Sequence, residues 1–290
     1  MIFYLLYFIP FLYLVSLVFN SYKSKKNLLQ FGNWAIVTGA TDGIGKSLSF
    51  ELAKNGLNIL LIARNSDKLK SCSNEIKEKW NVEVDYLDVD FSTDTYYTKV
   101  EDKIRDLDIG ILYNNVGMSY SFPKEFSDLT TKEINDMIML NINSVNMMTK
   151  IVVNKMKTQK RGAIINISSG AGEFPSPLLS VYSSSKQYVT MFSRSLSKEL
   201  EKYNILVQSQ TPLYVTSKLS KIKKESITVP SPDKFAKMSV ENIGSSTVVS
   251  PYWVHSIQLG ILKCIPEFIR NKVIYNIHNT INRKAINKYI

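Results

Sequence analysis

Between Trp34 and Gln210, short apolar runs rich in β-branched residues alternate with stretches whose hydrophobic positions recur at a helical period. Runs that are apolar on both sides belong to strands buried on both faces, so this alternation predicts βαβ units: a parallel sheet covered by helices. The predicted strands are 34–38, 58–63, 83–89, 109–114, 163–168 and 205–209, with helices at 44–55, 67–80, 95–105, 131–156 and 181–203 between and after them. Thr130, with Glu133 three residues on, has the form of a capping box for the fourth helix. The fold class this implies is α/β with a doubly wound parallel sheet, which takes ligands beyond the carboxyl ends of its strands.

After Pro212 the pattern loosens. Residues 213–250 are rich in Ser, Lys and Pro and are expected to form a mobile flap or short helices over a site rather than another sheet element. From Tyr252 the chain is apolar and aromatic again, with Lys263, Arg270, Lys272, Arg283, Lys284 and Lys288 interleaved or following. Broken by Pro266 and by these charges, the stretch 251–290 is expected to be an amphipathic helical segment at a membrane surface, with packing against the body as the alternative.

At the other end, residues 2–19 contain no charge. As a helix they would reach roughly 27 Å, close to the hydrocarbon thickness of a thin bilayer. Nothing basic precedes the run, as a cleaved signal would require, whereas Lys23, Lys25 and Lys26 follow it. The expectation is an uncleaved transmembrane anchor over 1–22 and a basic linker over 23–31, with the body on the cytosolic side; a helix lying on the surface or buried in protein is the alternative.

Composition sharpens this picture in two ways. With 290 residues, 44% of them hydrophobic, the chain can bury a core, which excludes a disordered or collagen-like chain. The net charge of +11 raises nucleic acid as a partner, yet zinc-finger ligands, an RNP-type strand and a long basic block are all missing, so no nucleic acid is expected. A cationic body suits an anionic membrane surface and phosphate-bearing ligands. Cys72 and Cys264, far apart in sequence, make no metal site and fit a reducing compartment.

The first predicted strand runs into Gly39-Ala40-Thr41-Asp42-Gly43-Ile44-Gly45 and then a helix. Glycines there permit a tight turn and close approach of backbone amides to a pyrophosphate held at the helix N-terminus. A plain turn is the alternative, but the position between the first strand and first helix of a βαβ array favours a dinucleotide cradle. Arg64 ends the second strand where an acidic residue would read a bare ribose, which favours NADP(H). Asp90, or Asp88 in its place, stands where the adenine amino group could be read.

Tyr182 and Lys186 lie four residues apart on one helix face, and a neighbouring ammonium is expected to lower the phenol pKa for acid–base work. Ser169 and the Asn114-Asn115-Val116-Gly117 turn also fall at carboxyl ends of strands. His255 and His278 fall outside the sheet and make no triad, so they are expected to be surface or packing residues.

With these residues in place, the chain resembles the short-chain dehydrogenase/reductase family, through TGATDGIG at 38–45, NNVG at 114–117, Ser169 and YSSSK at 182–186. NNVGMSY, NISSGAG, PSPLLSVYSSSK and PSPDKFAK are similar to the membrane-bound very-long-chain 3-oxoacyl-CoA reductases and the related 17β-hydroxysteroid dehydrogenases. The resemblance implies a Rossmann catalytic domain over 32–220 with the flap at 213–250. It gives Tyr182 as proton donor, Lys186 as its partner on the nicotinamide ribose, Ser169 as ligand of the substrate carbonyl, and Asn141, or less readily Asn143, as holder of a relay water. Cofactor contacts would come from Gly39, Thr41, Asp42, Gly43, Ile44, Gly45, Arg64, Asp90, Asn115, Tyr182, Lys186 and Thr216. Leu213 departs from the glycine often found after the family proline, which leaves the path of that loop open.

The implied reaction is NADPH-dependent reduction of a long-chain 3-oxoacyl-CoA in fatty-acid elongation. Reduction of a steroid, retinoid or sphingoid ketone is the alternative, and an inactive scaffold subunit a minor one. The resemblance further implies a single-pass protein of the endoplasmic reticulum membrane, with a homodimer or elongation enzymes as partners.

Overall fold

The computed structural model describes residues 27–93 and 95–287. Its centre is a seven-stranded, fully parallel sheet in the order β3-β2-β1-β4-β5-β6-β7. The strands are β1 (Trp34–Thr38), β2 (Asn58–Ala63), β3 (Val84–Asp88), β4 (Ile109–Asn114), β5 (Gly162–Ile167), β6 (Ile205–Gln210) and β7 (Val248–Val249). The helices are α1 (Gly43–Lys54), α2 (Ser66–Lys79), α3 (Tyr97–Ile104), α4 (Thr131–Ile138), α5 (Ser144–Gln159), α6 (Ser180–Leu200), α7 (Pro232–Glu241), α8 (Trp253–Cys264) and α9 (Glu267–Ile286).

The apolar runs form strands because both sides of each find a helical layer. Val37, Ile59, Leu61 and Ile165 point to one face, against Leu48 and Leu52 of α1, Leu69 and Ile76 of α2 and Val240 of α7. Their neighbours Ile36, Leu60, Ile62 and Ile164 point to the other, against Val100 of α3, Met148 and Val152 of α5 and Leu200 of α6. Each such buried aliphatic side chain contributes about 1.5–3 kcal/mol. The strand order reverses between β1 and β4, so the loops after these two strands diverge and leave a crevice at the carboxyl edge.

The architecture matches the expected doubly wound sheet, with two local differences. The helix expected over 131–156 is interrupted by a π-helical segment, Met139–Asn143, that separates α4 from α5. The capping box of Thr130 and Glu133 does start α4. The 213–250 stretch was not expected to add to the sheet, yet it supplies α7 and the two-residue β7, which pairs parallel with Ser209 and Gln210. Two residues carry no readable alternation, which explains why this strand is silent in the sequence.

The C-terminal stretch forms the helix pair α8 and α9. From α9, the His278 Nδ1–H donates to the Pro177 carbonyl (2.7 Å), and Asn282 Nδ2 donates to that of Pro123 (2.8 Å). The Arg270 guanidinium stands 4.4 Å from the Phe174 ring centre. One side of α9 therefore packs on loops at the crevice, while Phe268, Ile269, Val273, Tyr275 and Ile277 remain exposed. Among the described residues no helix is long and apolar enough to cross a membrane. The expected anchor over 1–22 and residues 23–26 of the expected linker lie outside the described residues, while Leu28–Phe31 form a short 3-10 helix.

Candidate active site

The crevice begins at the turn between β1 and α1. Thr38 Oγ1 donates to the Tyr113 carbonyl (3.3 Å) and accepts from the amides of Asn115 (3.0 Å) and Val116 (3.1 Å). Asn115 Nδ2 donates in turn to the Thr38 carbonyl (3.0 Å). Asn115 thus stands behind the glycine turn and holds it across the switch point. Gly39 at φ +66° occupies the left-handed region that favours glycine. Asp42 caps α1 by accepting from the Gly43 amide (2.8 Å) and is paired with Lys218, whose hydrogen bond holds the carboxyl below its ordinary value. Thr41 and Ile44 are half-buried in the same turn.

Gly45 is the tightest point, since a Cβ there would lie 2.2 Å from the Gly39 carbonyl oxygen and 2.5 Å from Asn115 Nδ2. Backbone must therefore move in Gly45→Ala. We expect a stability loss of about 1–3 kcal/mol and weakened dinucleotide binding, read by urea unfolding and by NADPH fluorescence titration.

Arg64, at the end of β2, and Asp90, just beyond β3, are exposed on the same rim. The Ser92 amide and hydroxyl hold the Asp90 carboxyl below its ordinary value, helped by the positive charge of Arg64. Asp88, the last residue of β3 and paired in register with Ala63, is exposed on the same rim.

Ser169 follows β5, and its Oγ accepts from the Ala171 amide (3.1 Å). The Tyr182 phenol, in the first turn of α6, stands beside the Ser169 hydroxyl. Lys186, one turn further, is 5% exposed and donates from Nζ to the Ile167 carbonyl (3.1 Å), 6.0 Å from the Tyr182 ring centre. Burial without a carboxylate partner lowers the Lys186 pKa to about 8.

The expected lowering of the Tyr182 pKa is not found. Burial raises it, the Ser169 hydrogen bond opposes the rise, and the neighbouring Tyr214 adds to it. Lys186 faces the Ile167 carbonyl and is not among the groups that lower it. The phenol is accordingly kept protonated, as an acid must be before it donates.

Asn141 lies in the π segment, fully buried. Its Oδ1 accepts from the Met118 amide (2.8 Å), while its Nδ2 donates to the Met118 carbonyl (2.9 Å) and to Ser185 Oγ (2.9 Å). Both amide hydrogens are used within the protein, so this side chain clamps the loop after β4 to α6, and a relay water would fall to the backbone of the π turn. Asn143 turns away, donating to the Tyr97 hydroxyl (3.1 Å). Gly117 completes the corner: a Cβ there would lie 2.9 Å from Asn141 Oδ1 and 3.2 Å from Lys186 Nζ. Thr216 is half-buried in the loop after β6, with its amide on the Pro230 carbonyl (3.0 Å).

Sequence reasoning passed over several supporting residues. Ser185 accepts from Asn141 and donates to the Tyr182 carbonyl (2.7 Å), yet looks like either of its serine neighbours. Tyr120 accepts the Val181 amide at its hydroxyl (2.9 Å), fixing the start of α6. Asn114 donates to Asn166 (2.8 Å), which donates to Ser193 (2.9 Å), a buried polar row crossing β4, β5 and α6. Tyr214 lies inside the loop already marked by Leu213 and Thr216 but carries no motif of its own, and His255 lies far from the motifs in sequence.

The family described as "short chain dehydrogenase" matches residues 33–227. The very-long-chain 3-oxoacyl-CoA reductase of Homo sapiens is 42% identical over 259 residues, covering 89% of this chain and 83% of that one. Hydroxysteroid dehydrogenase-like protein 1 of Gallus gallus is 38% identical over 272 residues, covering 88% and 82%. In fold, the chain is similar to a short-chain dehydrogenase from Sphingobium yanoikuyae in complex with NADPH, with a TM-score of 0.69 and 24% identity, covering 81% of this chain and 96% of that one.

Proposed function

The chain belongs to the short-chain dehydrogenase family of oxidoreductases, and from that premise we propose that it reduces the 3-oxo group of long-chain 3-oxoacyl-CoA thioesters with NADPH. The observation that carries the chemistry is the gathering of Tyr182, Lys186 and Ser169 at the carboxyl edge of the sheet, with Lys186 Nζ 6.0 Å from the Tyr182 ring centre.

A dinucleotide fits the residues present. The glycine turn brings backbone close to a ligand at the N-terminus of α1, and Arg64 offers a cation at the rim for a 2′-phosphate. When bound there, the cofactor would supply a hydride to the carbonyl carbon. Tyr182 supplies the proton to the oxygen, which the Ser169 hydroxyl orients, and the buried Lys186 ammonium, on the Ile167 carbonyl one turn along, stands where it would hold the nicotinamide ribose. Asn141 keeps the loop after β4 and Ser185 in place around them. Arg64→Asp is expected to weaken NADPH binding far more than NADH binding, checked by the ratio of kcat/KM values for the two; an unchanged ratio removes Arg64 from the site.

The substrate class is supported by relatives named for 3-oxoacyl-CoA reduction that align over most of both chains. It is also supported by the flap at the mouth of the crevice. There Lys218 reaches Asp42 and Lys221 reaches the Ser121 carbonyl, while Lys223 and Lys224 are exposed, a basic strip suited to phosphates that a steroid lacks. A steroid ketone is the second reading, favoured by the chicken relative's name. A panel with NADPH in detergent micelles decides: turnover of long-chain 3-oxoacyl-CoAs supports the proposal, and turnover of steroid ketones alone overturns it.

We place the protein in the endoplasmic reticulum membrane, with residues 1–22 as a single-pass anchor, the body in the cytosol and the exposed apolar side of α9 against the lipid. Elongation enzymes or a second copy are the partners this setting entails. Release of the protein from microsomes by alkaline carbonate would contradict the anchor.

A further inference from the structure

We infer that His255 is a positioning residue of this reductase site, a hydrogen-bond acceptor that fixes the 212–216 loop against Ser169 and ties the following segment over it. The inference rests on the reading of that loop as part of the nicotinamide and substrate site.

His255 is fully buried in the first turn of α8. Its Nδ1 accepts from the Leu213 amide (3.2 Å), and its Nε2 faces the Thr228 carbonyl (3.1 Å). A backbone donor on one nitrogen and a backbone acceptor on the other leave a single form, the neutral ring with its hydrogen on Nε2. The Pro212 carbonyl accepts from the Gly170 amide (2.8 Å), directly after Ser169. Leu259, one turn along α8 from His255, presses on the same spot: a Cβ on Gly170 would lie 3.0 Å from it and 2.5 Å from Leu213.

The covering segment is bound to the same device. Tyr252 meets the imidazole edge-on at 4.9 Å and donates to the Ile227 carbonyl (2.9 Å). The Thr216 amide donates to the Pro230 carbonyl (3.0 Å). His255 therefore joins α8, the loop bearing Tyr214 and Thr216, and the 227–230 segment, although it touches no reacting atom.

The groups around the ring explain what acid would do. Tyr252 comes from its own helix and Tyr214 from the loop; the 227–230 segment offers backbone only. Phe235 and Met238 of α7, packed with Tyr252, are apolar. Glu173, beyond the Gly170–Gly172 turn, is held by Lys263. Burial holds the imidazole below its ordinary value, and the Thr228 and Tyr214 backbone groups oppose this. Protonation at Nδ1 sets one N–H against that of Leu213, so the loop loses its acceptor.

The test is the pH profile of kcat and of KM for NADPH with the full chain and two variants. His255→Asn can still accept from the Leu213 amide but cannot titrate, whereas His255→Gln can serve only the Thr228 carbonyl. We expect His255→Asn to work within a few-fold of wild type at neutral pH and to lose the acid limb. We expect His255→Gln to lose roughly 10- to 100-fold in kcat. An unchanged acid limb in His255→Asn, or wild-type kcat in His255→Gln, overturns the inference.

Should either variant fail to fold, nitrogen NMR of wild-type His255 decides. An unprotonated Nδ1 that titrates together with the acid limb upholds the role, and a protonated Nδ1 at neutral pH, or titration apart from that limb, refutes it. Absence of any NADPH-dependent turnover in the wild type would instead count against the reductase reading, with the NMR result still judging the contact.

Discussion

Tyr182→Phe is expected to lose about 10²- to 10⁴-fold in turnover, because a positioned acid contributes roughly 3–5 kcal/mol to the barrier. The ring stays, so packing against Tyr120, Leu129 and Met137 is kept. Stability and NADPH affinity should therefore remain close to wild type. Steady-state kinetics, urea unfolding and a cofactor titration check the three quantities, and wild-type turnover in the variant would remove Tyr182 from the mechanism. A small loss of stability is compatible with the account, since Ser169 also loses its phenol partner.

Lys186→Met is expected to pull activity and stability in opposite directions. Burial brings the Lys186 pKa from 10.5 to about 8. The folded state thus binds fewer protons than the unfolded one between these values, and its stability rises with pH across that window. Below about pH 8 the buried charge is present and costs roughly 3 kcal/mol, partly offset by the bond to the Ile167 carbonyl, worth about 1 kcal/mol. Methionine fills a similar path without the charge. The variant should be about 1–2 kcal/mol more stable at pH 7, lose that advantage by pH 10, and be nearly inactive. Urea unfolding at the two pH values measures it, and a variant less stable than wild type at pH 7 contradicts the account. The same titration predicts that wild-type kcat/KM falls as pH rises past about 8, where the ammonium is lost.

What the sequence made legible was what is local. The 58–63 run coincides residue for residue with β2, because a strand buried on both faces is apolar throughout. The YSSSK motif is legible for the same reason: a helix places Tyr182 and Lys186 on one face whatever surrounds them. The contacts that support the site join residues distant in the chain. Asn141 reaches Met118 and Ser185 from the π turn, contacts with a distant loop and another helix that hydrophobic periodicity does not record.

The expected charge pairing failed for a related reason. Spacing put Lys186 near Tyr182, but the direction of Nζ depends on the free Ile167 carbonyl at the end of β5. His255 appeared as a packing residue since its partners Leu213 and Thr228 are backbone groups, which no side-chain pattern records.

The central claim is hydride transfer to C3 of a 3-oxoacyl-CoA with the proton from Tyr182, and isotope transfer tests it most directly. The purified full chain in micelles is given NADPH deuterated at the nicotinamide C4 hydrogens and a long-chain 3-oxoacyl-CoA, and the product is read by mass spectrometry. The account predicts a 3-hydroxyacyl-CoA carrying one deuterium at C3 with wild type and almost none formed with Tyr182→Phe. Unlabelled product, or labelled product formed equally well by the variant, would contradict it.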